Sequence, residues 1–490
     1  MKSLTICNLC VLACLWLTCS TSNAQNDPAG KPTDRVNIIL FVTDDQSPDF
    51  GAYGNATIRT PHMDALAKEG VLFRNAFCTT ASCSASRSVI LSGLHNHFNG
   101  HYGHEHAYHH FSSFDRVVSL PVRLTAAGYE TIRIGKYHVA PEPVYHFDLE
   151  LKGNARNPVQ MADNVKEYLA SRDKAQPFFL YFCTADPHRG GGQRSDLANS
   201  PNAFGNIPEG YEGVESTYYN PDDVQVPNFL PDTPTARSEL AMYSESVSRI
   251  DQGLGRLVQH LRDADLYEST VLIFTSDHGM AFPGAKTTLY EPGMRVPMIV
   301  RDPRIAKEHP EAVGSVNPAM LSHVDLTPTI LDMAGVLGTT DNAAQDFHGR
   351  SWARIIGAAN PSGWDEVFAS HTFHEIQMYY PMKVIRGRRY KLIWNVAYQL
   401  PYPFASDLWA APTWKERYAL GPETMYGKRT VGQYIQRAKF ELFDLQEDPD
   451  ETKNLAELPE HAELLENLKA KLKTYQSKTK DPWIMKWDYE

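Results

Sequence analysis

Cysteine is scarce where a covalent framework would need it. Of the seven in this 490-residue chain, Cys7, Cys10, Cys14 and Cys19 fall within the first 24 residues, which leaves Cys78, Cys83 and Cys183 for the rest. Three cysteines build no disulfide scaffold, and an odd number in an exported chain leaves at least one thiol to be explained by reactivity, modification or burial. Positive charge is in deficit too: 47 Lys and Arg stand against 58 Asp and Glu, a formal net charge of −11. That excludes a nucleic-acid binder or a heparin-coating basic surface, so any anionic ligand has to be held locally by a few cations or a metal. Internal repeats and low-complexity tracts are missing, and 42% hydrophobic with 21% charged residues is the composition of an ordinary globular chain.

One apolar run stands out, from Leu4 to Cys19, with Lys2 before it and Ser22-Asn23-Ala24 after it. It is shorter than the ~20 residues of a spanning helix and is flanked as a cleaved secretory leader is. Residues 1–24 are therefore predicted to be a signal peptide, with Val11-Leu12-Ala13-Cys14 open as an alternative acylation box. The remaining chain is predicted to be exported without a membrane span, to the periplasm or medium, or to the lysosome in a eukaryote. Asn55-Ala56-Thr57 is the one N-glycosylation acceptor beyond the leader, which favours a bacterial route.

After a Pro, Gly and Asp rich stretch from Asn26 to Asp34, the run Val36 to Val42 is almost continuously β-branched or apolar. It predicts a central strand buried on both faces. The run ends in Thr43-Asp44-Asp45-Gln46, placing two carboxylates at a strand's C-terminal edge, where open α/β sheets bind their ligands. The pattern returns twice: Phe178 to Phe182 leads into Asp186-Pro187-His188, and Thr270 to Phe274 into Asp277-His278-Gly279. Helical spacing over Pro61 to Glu69 and Glu239 to Ala264 fills the intervals, and such alternation predicts a mainly parallel sheet sandwiched by helices, an α/β fold. Near Asp365 the pattern changes. Val367-Phe368-Ala369 precedes a hairpin of Met382 to Arg386 and Tyr390 to Val396, with Pro459 to Ser477 as packing helix. The expected organisation is a larger domain over 34–365 and a smaller antiparallel α+β domain over 366–490.

Asp44, Asp45 and Asp277 all follow strands. Three carboxylates gathered without a cation would repel one another, which implies a divalent metal, and hard oxygen donors suit calcium or magnesium better than zinc. Asp44-Asp45 in isolation would read as a cap or turn; the third strand end decides against that.

The most specific string is Cys83-Ser84-Ala85-Ser86-Arg87-Ser88-Val89-Ile90-Leu91-Ser92-Gly93. Read alone, Cys83 could be a buried structural cysteine. The string resembles the signature C-x-P-S-R-x-x-x-L-T-G of the formylglycine-dependent sulfatase family, with Ala85 for the commoner Pro and Ser92 for Thr. The resemblance implies an alkaline-phosphatase-like fold and one calcium ion held by Asp44, Asp45, Asp277, His278 and an oxygen of modified Cys83. It also implies that a formylglycine-generating or radical sulfatase-maturing enzyme oxidises Cys83 to formylglycine (3-oxoalanine). One hydroxyl of the hydrated aldehyde attacks sulfur in that family, and the second lets the sulfated enzyme collapse. By the same resemblance Arg87 and Lys136 would steady the diol, His138 would act as base, and Lys286 and His188 would hold sulfate oxygens. His188 would protonate the leaving group.

From about Val36 to Trp483 the chain is similar to the heparan N-sulfatase (sulfamidase) branch of that family. The stretches that carry this include His97 to Gly103, Lys136 to Glu142, Asp186 to Arg189, Tyr380-Pro381-Met382, Glu441 to Asp444 and Asp481-Pro482-Trp483. The implied reaction is hydrolysis of the sulfamate of non-reducing-end N-sulfoglucosamine in heparan sulfate or heparin fragments, with His374 and Glu375 against the sugar. Two positions depart from the branch, His278 where it has Asn and Lys286 where it has Arg. An O-sulfatase on another glycan, or a phosphonate monoester hydrolase, is the alternative enzyme, and an inactive glycan-binding relative the alternative outside catalysis. The histidines from His95 to His110 are read as a pocket wall rather than a metal site of their own. A homodimer is compatible with the family.

Overall fold

The computed structural model describes residues 35–192, 196–197, 199–339, 342–343 and 346–488; the leader expected at 1–24 lies outside them. Fifteen strands are described: β1 Asn37–Thr43, β2 Val71–Phe77, β3 Glu130–Gly135, β4 Leu149–Leu151, β5 Phe178–Cys183, β6 Thr270–Ser276, β7 Arg295–Val296, β8 Met298–Arg301, β9 Val316–Ser322, β10 Glu366–His371, β11 Met382–Gly387, β12 Tyr390–Asn395, β13 Met425–Tyr426, β14 Arg429–Thr430 and β15 Phe440–Asp444. The first nine form one sheet in the order β4-β3-β5-β1-β6-β8-β2-β7, with β9 on β2. β4, β3, β5, β1 and β6 run parallel; β8 is antiparallel to both β6 and β2, so β2 points the same way as β6.

β1 sits where its sequence places it, between β5 and β6 and buried throughout. Ile38, Leu40 and Val42 enter one apolar cluster and Ile39 and Phe41 the other, as the two-residue period of a strand requires. The second cluster is roofed by helices Pro61–Glu69, Pro158–Ser171 and Pro234–Asp263, through Met63, Met161, Val165, Ile250 and Leu254 among others. The helix expected from Glu239 begins five residues earlier. Thr233 caps it by accepting from the Ala236 amide at 3.2 Å, and Pro234 occupies its first turn, where no amide is needed.

β10, β11, β12 and β15 form a separate antiparallel sheet, with the expected hairpin between β11 and β12. One face, with Met382, Val384 and Ile393, joins the large cluster of the first sheet; the other, with Ile385, Leu392 and Trp394, is covered by helix Ala462–Lys478. Buried ions also link the sheets. Lys391 lies 3.3 Å from Glu291 and 2.8 Å from Glu451, and Arg386 grips Glu291 at 3.1 Å. The fold is thus a mixed, mainly parallel α/β sandwich with a smaller antiparallel unit.

Candidate functional site

Because β3, β5, β1 and β6 are neighbours and parallel, their C-terminal ends share one edge, and the residue after each strand lands there. Lys136 follows β3, Asp186 and His188 follow β5, Asp44 and Asp45 follow β1, and Asp277 and His278 follow β6. Gly135 allows one close approach: at φ +85°, a Cβ there would sit 2.0 Å from the Cys183 carbonyl oxygen. Helix Cys83–Ile90 follows the short loop after β2. Cys83 opens it and Arg87 lies one turn on, so both face the same edge.

Arg87 is wholly buried and bridges two carboxylates, reaching Asp44 at 3.2 Å and Asp277 at 3.0 Å. Asp44 also accepts from Lys136 at 2.6 Å. Asp45 accepts from Lys286 at 2.9 Å through one oxygen, while its other oxygen is 3.0 Å from His278 Nε2. Cys83 Sγ lies 3.3 Å from His278 Nε2 and 3.6 Å from Asp45 Oδ1. Asp45, Cys83, Asp277 and His278 present four ligand atoms within 4.8 Å of one another, and Asp44, Asp45, Cys83 and His188 form an overlapping group. Asp45 and His138 hold left-handed backbone, φ 61° and 57°, the strain that packed functional sites retain.

The electrostatics of this cluster ask for a cation. Burial first, then Asp44, lifts the Asp277 carboxyl to about 6. Burial works against a charged His278, yet Asp277 and Asp45 hold its imidazole well above the ordinary histidine range. A proton shared among these groups is what a divalent ion would replace, and two or three carboxylates with one imidazole suit such an ion. Burial pushes the Cys83 thiol up, so unmodified it is no ready thiolate. Cys78 and Cys183, the other free cysteines described, are simply buried.

His188 is neutral in this arrangement: burial first, then Lys286, draws it down to about 4. Its Nδ1 hydrogen-bonds the Arg189 carbonyl and its Nε2 accepts from Lys286 Nζ at 3.0 Å. The loop carrying it is pinned by Asp186, which Arg156 and Arg249 each hold at 2.7 Å. His138 is drawn well below the ordinary range, by burial first and then Lys136; Nε2 meets His106 Nδ1 at 2.6 Å, and Nδ1 is buried without a protein partner.

Not every expected residue spends its polar atoms on the pocket. His374 and Glu375 are 2% and 7% exposed. His374 bonds Ser82 Oγ at 2.9 Å and His104 Nε2 at 2.8 Å, and Glu375 accepts from the Ser406 amide at 2.9 Å. The histidine-rich run divides. His104 and His106 border the site, whereas His95 and His97 stack at 5.4 Å with His95 on Tyr475, away from it. Asp407 is the residue that sequence reasoning missed: its Oδ2 accepts from Lys286 Nζ at 3.0 Å, from a segment of the chain with no recognisable motif. A cavity of about 1180 Å³ between Phe98, Trp364 and Tyr475 contains none of these residues.

Comparison with known proteins agrees with this geometry. The family model described as Sulfatase matches residues 36–336, and that described as N-sulphoglucosamine sulphohydrolase, C-terminal, matches 278–405. The chain is 40% identical to N-sulphoglucosamine sulphohydrolase of Homo sapiens, over 91% of each chain, and 27% identical to an ulvan-active sulfatase of Formosa agariphila, over 91% of this chain and 81% of that one. Among solved structures, one bound to its substrate D-glucosamine-2-N,6-O-disulfate superposes with a TM-score of 0.66 at 22% identity, covering 91% of this chain and 99% of that one. A phosphonate monoester hydrolase of Agrobacterium radiobacter gives 0.65 at 18%, covering 91% and 96%. These last two speak for the fold alone. With the family model spanning most of the chain and the human relative aligned along nearly all of it, the protein belongs to the sulfatase family and is a hydrolase.

Proposed function

We propose that the protein is an exported, calcium-dependent sulfatase that removes the N-sulfate of non-reducing-end N-sulfoglucosamine in heparan sulfate or heparin fragments. Cys83 acts as formylglycine after modification by a maturing enzyme. The observation that carries the substrate is the 40% identity to the human N-sulphoglucosamine sulphohydrolase over 91% of the chain. A calcium ion would be held by Asp44, Asp45, Asp277, His278 and the modified residue 83, and would supply charge to orient the sulfate. No helix among the described residues is long and apolar enough to cross a membrane.

Formylglycine supplies a hydrated aldehyde, with one hydroxyl to attack sulfur and another to expel sulfate. Arg87 and Lys136 orient it, and Lys286 and His188 bind the departing SO₃ group. Fixed cations in a dry site stabilise charge that develops there without reorganisation. His138, neutral and with a free nitrogen, takes the proton from the diol. An anionic sulfamate arriving beside His188 raises its basicity, so substrate binding loads the proton that the leaving nitrogen needs. An unprotonated amide anion would be a very poor leaving group. The division into a unit of 34–365 and one of 366–490 belongs to the same reading.

The alternative rests on His278 and Lys286, choices shared with enzymes of ester specificity, and covers O-sulfatases and phosphonate monoester hydrolases. Assays of the mature protein on N-sulfoglucosamine, 6-O-sulfated glucosamine and a phosphonate monoester separate the readings. Release of sulfate from the first is expected; turnover confined to the other two contradicts the N-sulfate assignment.

A further inference from the structure

A pocket that binds an anion has no evident use for an extra carboxylate, yet Asp407 supplies one. With Asp44, Asp45 and Asp277 it makes four acids around the three permanent cations Arg87, Lys136 and Lys286. Its side chain is 23% exposed, while Lys286 beside it is fully buried. The placement is held firmly: Oδ1 accepts from the Leu408 amide at 2.8 Å, and buried Glu375 takes both the amide (2.9 Å) and the hydroxyl (2.5 Å) of Ser406. Asp407 Oδ2 and His188 Nε2 are each 3.0 Å from Lys286 Nζ, so they lie at most about 6 Å apart. An acid thus stands beside the group that faces the leaving atom.

We propose that Asp407 selects the nitrogen of a sulfamate over the oxygen of a sulfate ester, by accepting its N–H and holding the ammonium product. The inference rests on the N-sulfate reading above and explains its selectivity. The bridging nitrogen of a sulfamate carries a hydrogen; the bridging oxygen of an ester carries only lone pairs and would meet the carboxylate unpaired. A site built to receive a donor rejects an analogue that lacks it far more strongly than a hydrophobic pocket can. As the N–S bond breaks, its electron pair stays on nitrogen, SO₃ passes to the oxygen nucleophile at position 83, and nitrogen takes a proton from His188. A second proton, from solvent, gives the ammonium that Asp407 faces. Glu375 is then a positioning residue that fixes the turn from which Asp407 projects.

The test uses the mature, metal-loaded enzyme and its Asp407→Asn and Asp407→Glu variants. kcat/KM on N-sulfoglucosamine is expected to fall about 100-fold in Asp407→Asn, as for loss of a site's hydrogen-bonding partner, with partial recovery in Asp407→Glu. Calorimetric titration with glucosamine and N-acetylglucosamine at pH 6 reads the product contact. Wild type is expected to prefer the charged amine, and Asp407→Asn to lose the preference. Hydrolysis by Asp407→Asn within threefold of wild type, or a retained preference, overturns the inference alone. Failure of wild type itself to cleave N-sulfoglucosamine overturns the underlying reading and this inference with it.

Discussion

His188 is the residue whose removal isolates one chemical task from the rest. Its neighbours Asp186, Arg156 and Arg249 keep the loop in place without it, so His188→Ala leaves the pocket standing. Turnover of N-sulfoglucosamine is predicted to fall by roughly 10²–10⁴-fold, the worth of a positioned acid, with kcat and kcat/KM dropping together. Near-normal steady-state turnover contradicts the role. Such residues were legible in the sequence because each follows an apolar run at a strand's end. Asp407 was not, because it reaches Lys286 from 121 positions further along the chain, and no local pattern encodes that meeting. The contacts of His374 and Glu375 were equally invisible, since they depend on Ser82, His104 and Ser406 arriving beside them.

Among the elements, the seam between the two sheets carries the clearest energetic claim. Lys391, on β12, is fully buried between Glu291 and Glu451. Lys391→Met takes the ammonium from buried Glu451 and leaves Glu291 to Arg386, and breaking a buried pair from one side costs about 3–5 kcal/mol. Urea unfolding is expected to register that loss, and adding Glu451→Gln to recover part of it. A loss below 1 kcal/mol in the single variant contradicts the network's importance. Strands β1, β5 and β6 were readable because a strand buried on both faces has no polar alternation to confuse the pattern. The short β7 and β13 carry too few residues for any periodicity, and only their partners define them. The terminal helix starts at Ala462 rather than Pro459, because the first turn closes as a tighter 3₁₀ turn over Pro459–His461.

Across the whole molecule, buried neutral histidines set the response to acid. Burial lowers His101 and His348 from 6.5 to about 4, and His371 to about 3. The unfolded chain takes up these protons as pH falls below about 6.5, whereas the folded chain does so only near 4, so stability drains away across that window. Asp49 and Asp251, raised to about 7 by burial, act in the opposite sense but are fewer. The melting temperature is predicted to fall from pH 6.5 to pH 4.5, with a shallower slope in His371→Gln; a flat profile contradicts this. The same packing that keeps these rings dry also encloses Cys83, around which the strand edge, the acids and the cations converge. The most direct measurement is intact-peptide mass spectrometry over Cys83 in native, active protein. Formylglycine there weighs about 18 Da less than cysteine, and that loss is the predicted result; active enzyme carrying only unmodified Cys83 would contradict the account at its centre.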